Sequence, residues 1–100
     1  MYTEDAELLI PEAPPFTGRA AITEVWRAIV GSGGNTLRVT TGEVQELSDN
    51  WAYEIGSFRA TSPGGDVLNA GKFVVIWKQV SPGAWKIHRD IFNWDVPPSN

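Results

Sequence analysis

The sequence predicts an α+β domain in which a strongly curved antiparallel sheet forms a half-open cone around a single helix. One segment has the periodicity of an amphipathic helix, and beyond residue 35 the apolar residues alternate with the period of β-strands. A chain of 100 residues is the size of one domain, and such a chain buries about two thirds of its unfolded surface. We therefore expect a single domain over residues 1–100.

The helix is predicted over Arg19–Val30, where apolar residues recur at the spacing i, i+3, i+4, i+7. These apolar residues are Ile22, Val25, Trp26 and Ile29. Either Thr17 or Gly18 caps the start of the helix. The glycine-rich segment 31–35 is predicted to end the helix and to form a flexible linker, and residues 96–100 are predicted to lie outside the sheet.

The strands are predicted from apolar runs that are separated by turn-forming residues. A short run at residues 7–10, ended by Pro11, predicts one strand before the helix. Four strand candidates follow the helix in succession, at residues 36–47, 51–61, 67–80 and 85–95. Gly42, Gly56 and Gly71 lie inside three of these strands, where bulges or bends would let a long sheet curl. The result is a meander of antiparallel hairpins.

Composition and charge narrow the classes of function. The net charge of −4 argues against a nucleic-acid partner, because such a partner is held by clustered basic side chains. With no cysteine the chain has no disulfide and no thiolate nucleophile, and with one histidine it predicts no metal site and no cofactor. The acidic N-terminus and a longest apolar run that covers only residues 73–77 predict a cytoplasmic protein without a membrane partner.

Five segments of the chain together carry a family resemblance through their order and spacing. They cover residues 2–6 (YTEDA), 16–22 (FTGRAAI), 51–56 (WAYEIG), 71–78 (GK…WK) and 85–93 (WKIHRDIFN). The chain resembles SnoaL-like proteins of the nuclear transport factor 2-like superfamily, and most closely their small uncharacterised bacterial members. The resemblance implies a cystatin-like roll that lacks the N-terminal helices of its relatives, so that a partner subunit, a ligand or another chain covers the mouth of the cone.

The same resemblance argues against one known chemistry of this superfamily. Ketosteroid isomerases of this fold use two carboxyl groups, and the positions that correspond to them are Ile10 and Val75. Neither side chain can exchange a proton, and the resemblance implies that the helix carrying the oxyanion tyrosine in those enzymes is missing here. We therefore expect no isomerase activity of that type.

The chemical candidates are His88 and Asp90 on the last predicted strand. Residues two apart on a strand share a face, with Cα atoms roughly 6.8 Å from each other. In one interpretation His88 is a general acid or base that Asp90 orients. In the alternative, Asp90 is a buried carboxylate bonded to Tyr53 or to a tryptophan N–H, and His88 lies at the rim.

The predicted ligand pocket is the inside of the cone. Strand alternation and the resemblance assign to it Trp26, Tyr53, Ile55, Phe73, Val75, Trp77, His88, Asp90 and Phe92. These residues predict binding of an apolar or aromatic small molecule, although the same aromatic residues are also what a filled core would require.

The opposite face of the sheet is predicted to be a homodimer interface. It carries Val74, Ile76, Ile87 and Ile91, which form a patch too apolar for the solvent face of a monomer. Three functions remain open: a small dimeric module that binds an apolar molecule; a lyase, isomerase or hydrolase that uses His88 and Asp90; and a purely structural dimerisation module.

Overall fold

The computed structural model describes residues 1–30 and 35–95, which form a six-stranded sheet and one helix. The elements are β1 (Tyr2–Leu9), β2 (Phe16–Thr17), α1 (Arg19–Val30), β3 (Thr36–Ser48), β4 (Trp51–Thr61), β5 (Val67–Ser81) and β6 (Ala84–Trp94). The predicted α+β class is confirmed. The predicted linker at 31–34, the tail at 96–100 and the side chain of Ile29 lie outside the described residues. No helix in the described ranges is long and apolar enough to cross a membrane.

The sheet has the strand order β2-β1-β6-β5-β4-β3. The four long strands pair as successive antiparallel hairpins, as the turn signals predict. β1 lies parallel to β6, so the two ends of the fold meet in the middle of the sheet. β1 begins at Tyr2, earlier than the predicted start at residue 7, because Tyr2 pairs with Ile87 of β6 ahead of a register shift that precedes Glu7.

The helix α1 has the predicted bounds, Arg19–Val30, and Gly18 directly precedes its first residue. The Gly18 carbonyl accepts the first helical hydrogen bond from the Ile22 N–H, at 3.1 Å. Gly18 has a φ of 91°, a left-handed conformation that glycine adopts without steric cost, so Gly18 rather than Thr17 is the cap. Ile22 is fully buried beneath the helix, and Trp26 reaches the ring of Phe92, with 5.6 Å between the ring centroids.

The core lies between α1 and one face of the sheet, which we call the inner face; the opposite one is the outer face. Its buried apolar residues are Ala6, Leu8, Ile22, Phe58, Phe73, Val75, Ile87 and Phe92. The core is concentrated at β1, β6, β5 and the second half of β4. β3 is an edge strand, and every residue in it except Leu37 is exposed.

Two glycines in the sheet are sites where an aromatic ring crosses the backbone. Gly71 pairs with Phe58 and Gly56 pairs with Phe73, and a Cβ atom added at either glycine would lie 2.6 Å from the ring opposite it. Of the bulges or bends expected at these two glycines, neither position forms a bulge, because neither lies at a register shift. Only Gly42 lies at a register shift, between β3 and β4. The absent side chains therefore let the two rings lie flat against the sheet and fill the core.

We expect Gly71→Ala to lower the free energy of unfolding by about 1 to 3 kcal/mol, because the new methyl group would overlap the Phe58 ring and the Asn93 carbonyl. Gly64→Ala is the matched control, because the nearest atom to its added Cβ is 3.9 Å away. Urea unfolding followed by tryptophan fluorescence measures both changes. Equal stability of the two variants would contradict the role assigned to Gly71.

Candidate functional site

A cavity of about 470 Å³ lies between α1 and the inner face of the sheet. Its wall is almost entirely apolar, and its charged side chains are Glu54 and Asp90, with the Tyr2 hydroxyl beside them. The lining residues are Met1, Tyr2, Trp26, Leu37, Val39, Glu54, Phe58, Phe73, Val75, Trp77, Ile87 and Asp90. The cavity therefore combines a large aromatic surface with one polar region.

Asp90 lies at the end of a chain of hydrogen bonds that joins three elements of the fold. The Trp26 indole N–H of α1 donates to the Tyr2 hydroxyl at 3.0 Å, and that hydroxyl donates to Oδ2 of Asp90 at 2.9 Å. Asp90 is only 5% exposed. Burial raises the pKa of Asp90 to about 6; the Tyr2 hydrogen bond opposes this shift, and the charge of Glu54 adds to it. Burial and the neighbouring carboxylate also raise the pKa of Tyr2.

Glu54 forms the second acidic part of the wall. The Trp77 indole N–H donates to its Oε1 at 3.0 Å, and the Thr41 hydroxyl donates to its Oε2 at 2.5 Å. Val75 of β5 pairs with Glu54 on one side and with Asp90 on the other. The two carboxylates therefore lie on β4 and β6, the strands on either side of β5, with Cα atoms about 10 Å apart. Within residues 1–30 and 35–95, no group of three or more histidine, cysteine or acidic side chains could hold a metal ion.

Five of the nine predicted pocket residues line this cavity, and three of the other four lie on the opposite face of the sheet. Trp26, Phe73, Val75, Trp77 and Asp90 lie in its wall. Phe92 also faces inward but is buried in the core rather than in the cavity wall. The lining residues that the sequence analysis did not assign are Met1, Tyr2, Leu37, Val39, Glu54, Phe58 and Ile87.

The predicted inward orientation of Tyr53 and Ile55 is wrong. Both side chains lie on the outer face, where the Tyr53 hydroxyl donates to Glu43 and Ile55 is 42% exposed. The pairing of Glu54 with Val75 places Glu54 inward instead. The strand was correctly predicted, but the face that each residue occupies was reversed.

His88 also lies on the outer face, so the predicted His88–Asp90 pair is not formed. Ile76 pairs with Arg89 while the next residue, Trp77, pairs with Ile87, which leaves His88 as the extra residue of a bulge in β6. Its Nδ1 lies 3.0 Å from the Thr3 hydroxyl, on the opposite side of the sheet from Asp90. Burial lowers the pKa of His88, and the charge of Arg89 lowers it further.

The same bulge turns Ile87 inward, which corrects its assignment to the outer patch. Ile87 is 8% exposed and lines the cavity. Val74 and Ile91 remain on the outer face and are paired across β5 and β6. They are 39% and 46% exposed, and Ile76 beside them is partly buried.

The alternative interpretation expected Asp90 to be bonded to Tyr53, but its partner is the Tyr2 hydroxyl. A tryptophan N–H does take part, but through the Tyr2 hydroxyl. The arrangement can accept hydrogen bonds from a bound molecule, and Asp90 can exchange a proton near neutral pH.

No protein-family model and no curated protein match this chain. Several solved structures, in contrast, are similar to it. A ketosteroid isomerase-like protein from Erwinia carotovora atroseptica superposes with a TM-score of 0.76 and 23% identity, over 96% of this chain and 77% of that one. A nuclear transport factor 2-like protein with a cystatin-like fold from Novosphingobium aromaticivorans superposes with a TM-score of 0.77 and 16% identity, over 98% of this chain and 67% of that one. A domain of unknown function with a cystatin-like fold from Nostoc punctiforme superposes with a TM-score of 0.75 and 16% identity, over 96% of this chain and 62% of that one.

The chain therefore has the nuclear transport factor 2-like, cystatin-like fold, as the resemblance implied. It covers between 62% and 77% of the length of these three proteins. Identities of 23% and below establish the fold and carry no activity over to this chain.

Replacing Asp90 with asparagine is expected to stabilise the protein at neutral pH. The pKa of Asp90 rises from an ordinary 3.8 to about 6 on folding, so the folded protein holds this proton more tightly than the unfolded chain. The stabilising contribution is complete below pH 3.8 and is lost as the pH rises through about 6. We expect Asp90→Asn to raise the free energy of unfolding by about 1 to 3 kcal/mol at pH 7.5, and by much less at pH 4.

Urea unfolding at the two pH values measures this difference. The amide oxygen of asparagine still accepts the Tyr2 hydroxyl, and Tyr2 and Glu54 are the titratable groups that face this position. Asp66→Asn, an exposed change in the β4–β5 turn, controls for net charge. A stability difference that is equal at pH 7.5 and pH 4 would contradict the prediction.

Proposed function

We propose that the protein binds a small, mainly apolar molecule in the inner-face cavity and that the molecule presents a hydrogen-bond donor to Asp90. The observation that carries this proposal is the cavity of about 470 Å³, which has an almost wholly apolar wall and one acidic region. Cavities that hold small molecules have volumes of about 300 to 1,000 Å³ and a few convergent polar groups. This cavity meets both conditions.

The apolar wall supports binding of a flat or aromatic molecule. Five of the lining residues are aromatic: Tyr2, Trp26, Phe58, Phe73 and Trp77. Aromatic side chains are rigid and offer a large contact area, so they gain attraction at little entropic cost. The site is open towards the exposed strand β3, where Val39 lines it and is 55% exposed. Because part of the ligand stays in water, we expect affinities of about micromolar to millimolar.

The polar wall supports selection of a donor. A carboxylate can accept about four hydrogen bonds, and among the described residues Asp90 accepts one side-chain hydrogen bond, from Tyr2. The acceptor capacity that remains is in a cavity where competing water is scarce, so a ligand donor gains more there than at an exposed carboxylate. The alternative enzyme mechanism that pairs His88 with Asp90 has no support, because the two side chains lie on opposite faces.

We also propose that two copies of the chain associate through the outer face of the sheet. Val74, Ile76, Ile91 and Ile55 form a contiguous apolar patch there, because they are cross-strand partners or near neighbours on β4, β5 and β6. Three of them are between 39% and 46% exposed. A patch of exposed branched side chains in the middle of a sheet is typical of an interface between subunits.

Filling the cavity tests the binding proposal. We expect 1-naphthylmethanol to bind the native protein, to shift the indole N–H signals of Trp26 and Trp77 in nuclear magnetic resonance spectra, and to leave that of Trp51 unmoved. Trp26 and Trp77 line the cavity, whereas Trp51 lies on the outer face beside His88. Val75→Phe should weaken binding at least about tenfold, because its larger side chain occupies the cavity floor.

Val74→Phe is the matched control, since it adds the same volume on the outer face of the same strand. It should bind the probe as the native protein does. If the native protein fails to bind this probe and a panel of similar aromatic alcohols, the binding proposal is overturned and a structural dimerisation module becomes the better description.

The dimer is tested by Val74→Lys. A buried lysine without a partner opposes association, so we expect this variant to have half the mass of the native protein in light scattering at micromolar concentration. Val44→Lys, at a 59% exposed position of the edge strand, should leave the mass unchanged. A native protein that is already monomeric would overturn the proposal.

A further inference from the structure

The inner-face cavity contains acidic side chains but no basic ones. The charged side chains in its wall are Glu54 and Asp90, and no lysine, arginine or histidine of the described residues lines it. The segments 31–34 and 96–100 contain no basic residue in their sequence. We infer that the molecule bound in this cavity is an organic cation, a protonated amine carried on an apolar body. This inference rests on the proposed binding function and specifies its ligand class.

Asp90 is a buried carboxylate whose visible partners are all neutral. It is 5% exposed, and its hydrogen-bond chain ends on the Trp26 indole, which carries no charge. A buried carboxylate is costly unless an opposite charge or several donors compensate it. The basic side chains near β6 do not serve this purpose, because Arg89 pairs with Glu7 on the outer face at 3.2 Å. A cation in the cavity would supply the missing compensation.

Glu54 adds a second negative charge to the cavity wall. Its charge raises the pKa of the Asp90 carboxyl from the strand on the other side of Val75. Neutral donors from Trp77 and Thr41 satisfy oxygens of Glu54 without removing its charge. An ammonium group positioned above Val75 would attract both carboxylates at once.

The aromatic lining favours the same ligand class. Ring faces attract cations by about 0.5 to 2 kcal/mol each, and most strongly where water is displaced. The indole N–H groups of Trp26 and Trp77 already donate to Tyr2 and Glu54, so these rings offer a ligand their apolar surface and π electrons rather than a donor. An anionic ligand would meet two carboxylates and no basic side chain.

A matched pair of probes tests the inference. 1-Naphthylmethylamine and 1-naphthylmethanol share one apolar body, and at pH 7.5 the amine is protonated whereas the alcohol is neutral. In 0.15 M salt, which screens the net charge of −4, we expect the native protein to bind the amine at least about tenfold more tightly by calorimetry. Asp90→Asn and Glu54→Gln should each reduce this preference severalfold, because each change removes the negative charge that attracts the ammonium group and keeps an oxygen that accepts a hydrogen bond from either probe.

Proton release supplies a readout that simple charge attraction does not give. A cation next to Asp90 lowers the pKa of that carboxyl, so binding the amine near pH 6 should release a fraction of a proton. Calorimetry in two buffers of different ionisation enthalpy measures this release. The alcohol should release less than the amine, because a neutral donor lowers the pKa of Asp90 less than a cation does, and the amine should release none with Asp90→Asn.

The controls separate the failure of this inference from the failure of the binding proposal. If the two probes bind equally, the cation inference is overturned and the cavity remains a site for neutral molecules. If neither binds, the binding proposal itself is overturned. If Asp66→Asn, an exposed control in the β4–β5 turn, reduces the preference as much as Glu54→Gln and Asp90→Asn do, the preference reflects overall charge and the inference is again overturned.

Discussion

The hydrogen-bond chain from Trp26 through Tyr2 to Asp90 is the interaction on which the arrangement of this fold most depends. It joins the helix to the first and last strands, which are far apart in sequence and meet as the parallel pair in the sheet. Without the Tyr2 hydroxyl, the Asp90 carboxylate would lose its side-chain donor beneath the helix. Because Tyr2 serves both as donor and acceptor, the position of α1 and the orientation of the acidic wall are set together.

The elements that sequence could predict are those fixed by local chemistry. The helix bounds and the four long strands follow from periodicity and turn residues, and each agrees with the structure to within about a residue. Which face a residue occupies is not a local property. The direction of Tyr53 and Glu54 depends on the register of β4 against β5, and the apolar Tyr53 and Ile55 suggest the opposite face when that pairing is unknown.

The sequence contains nothing that indicates the bulge at His88. It contains no glycine and interrupts an otherwise regular strand, yet it reverses the alternation so that Ile87 and Asp90 both face the cavity. Glu54, which the sequence analysis did not assign to the cavity, is a charged residue at a position where an apolar one would pack better. Departures of this kind from the apolar pattern occur mainly where a site is built at the expense of stability. The sequence does not indicate the placement of Tyr2 for a different reason, since its partners lie on α1 and on the last strand and not near it in sequence.

The parallel pairing of β1 with β6 also constrains the order in which this chain folds. The hairpins from β3 to β6 join neighbours in sequence, whereas Tyr2 must find a partner 88 residues away. Contacts of such separation close long loops and form slowly, so the four-stranded meander can assemble before β1 and α1 dock on it. The acidic wall is complete only after that last step. A binding-competent cavity is consequently a signature of the finished fold, and an intermediate that has its hairpins but not its first strand would expose the aromatic surface to aggregation.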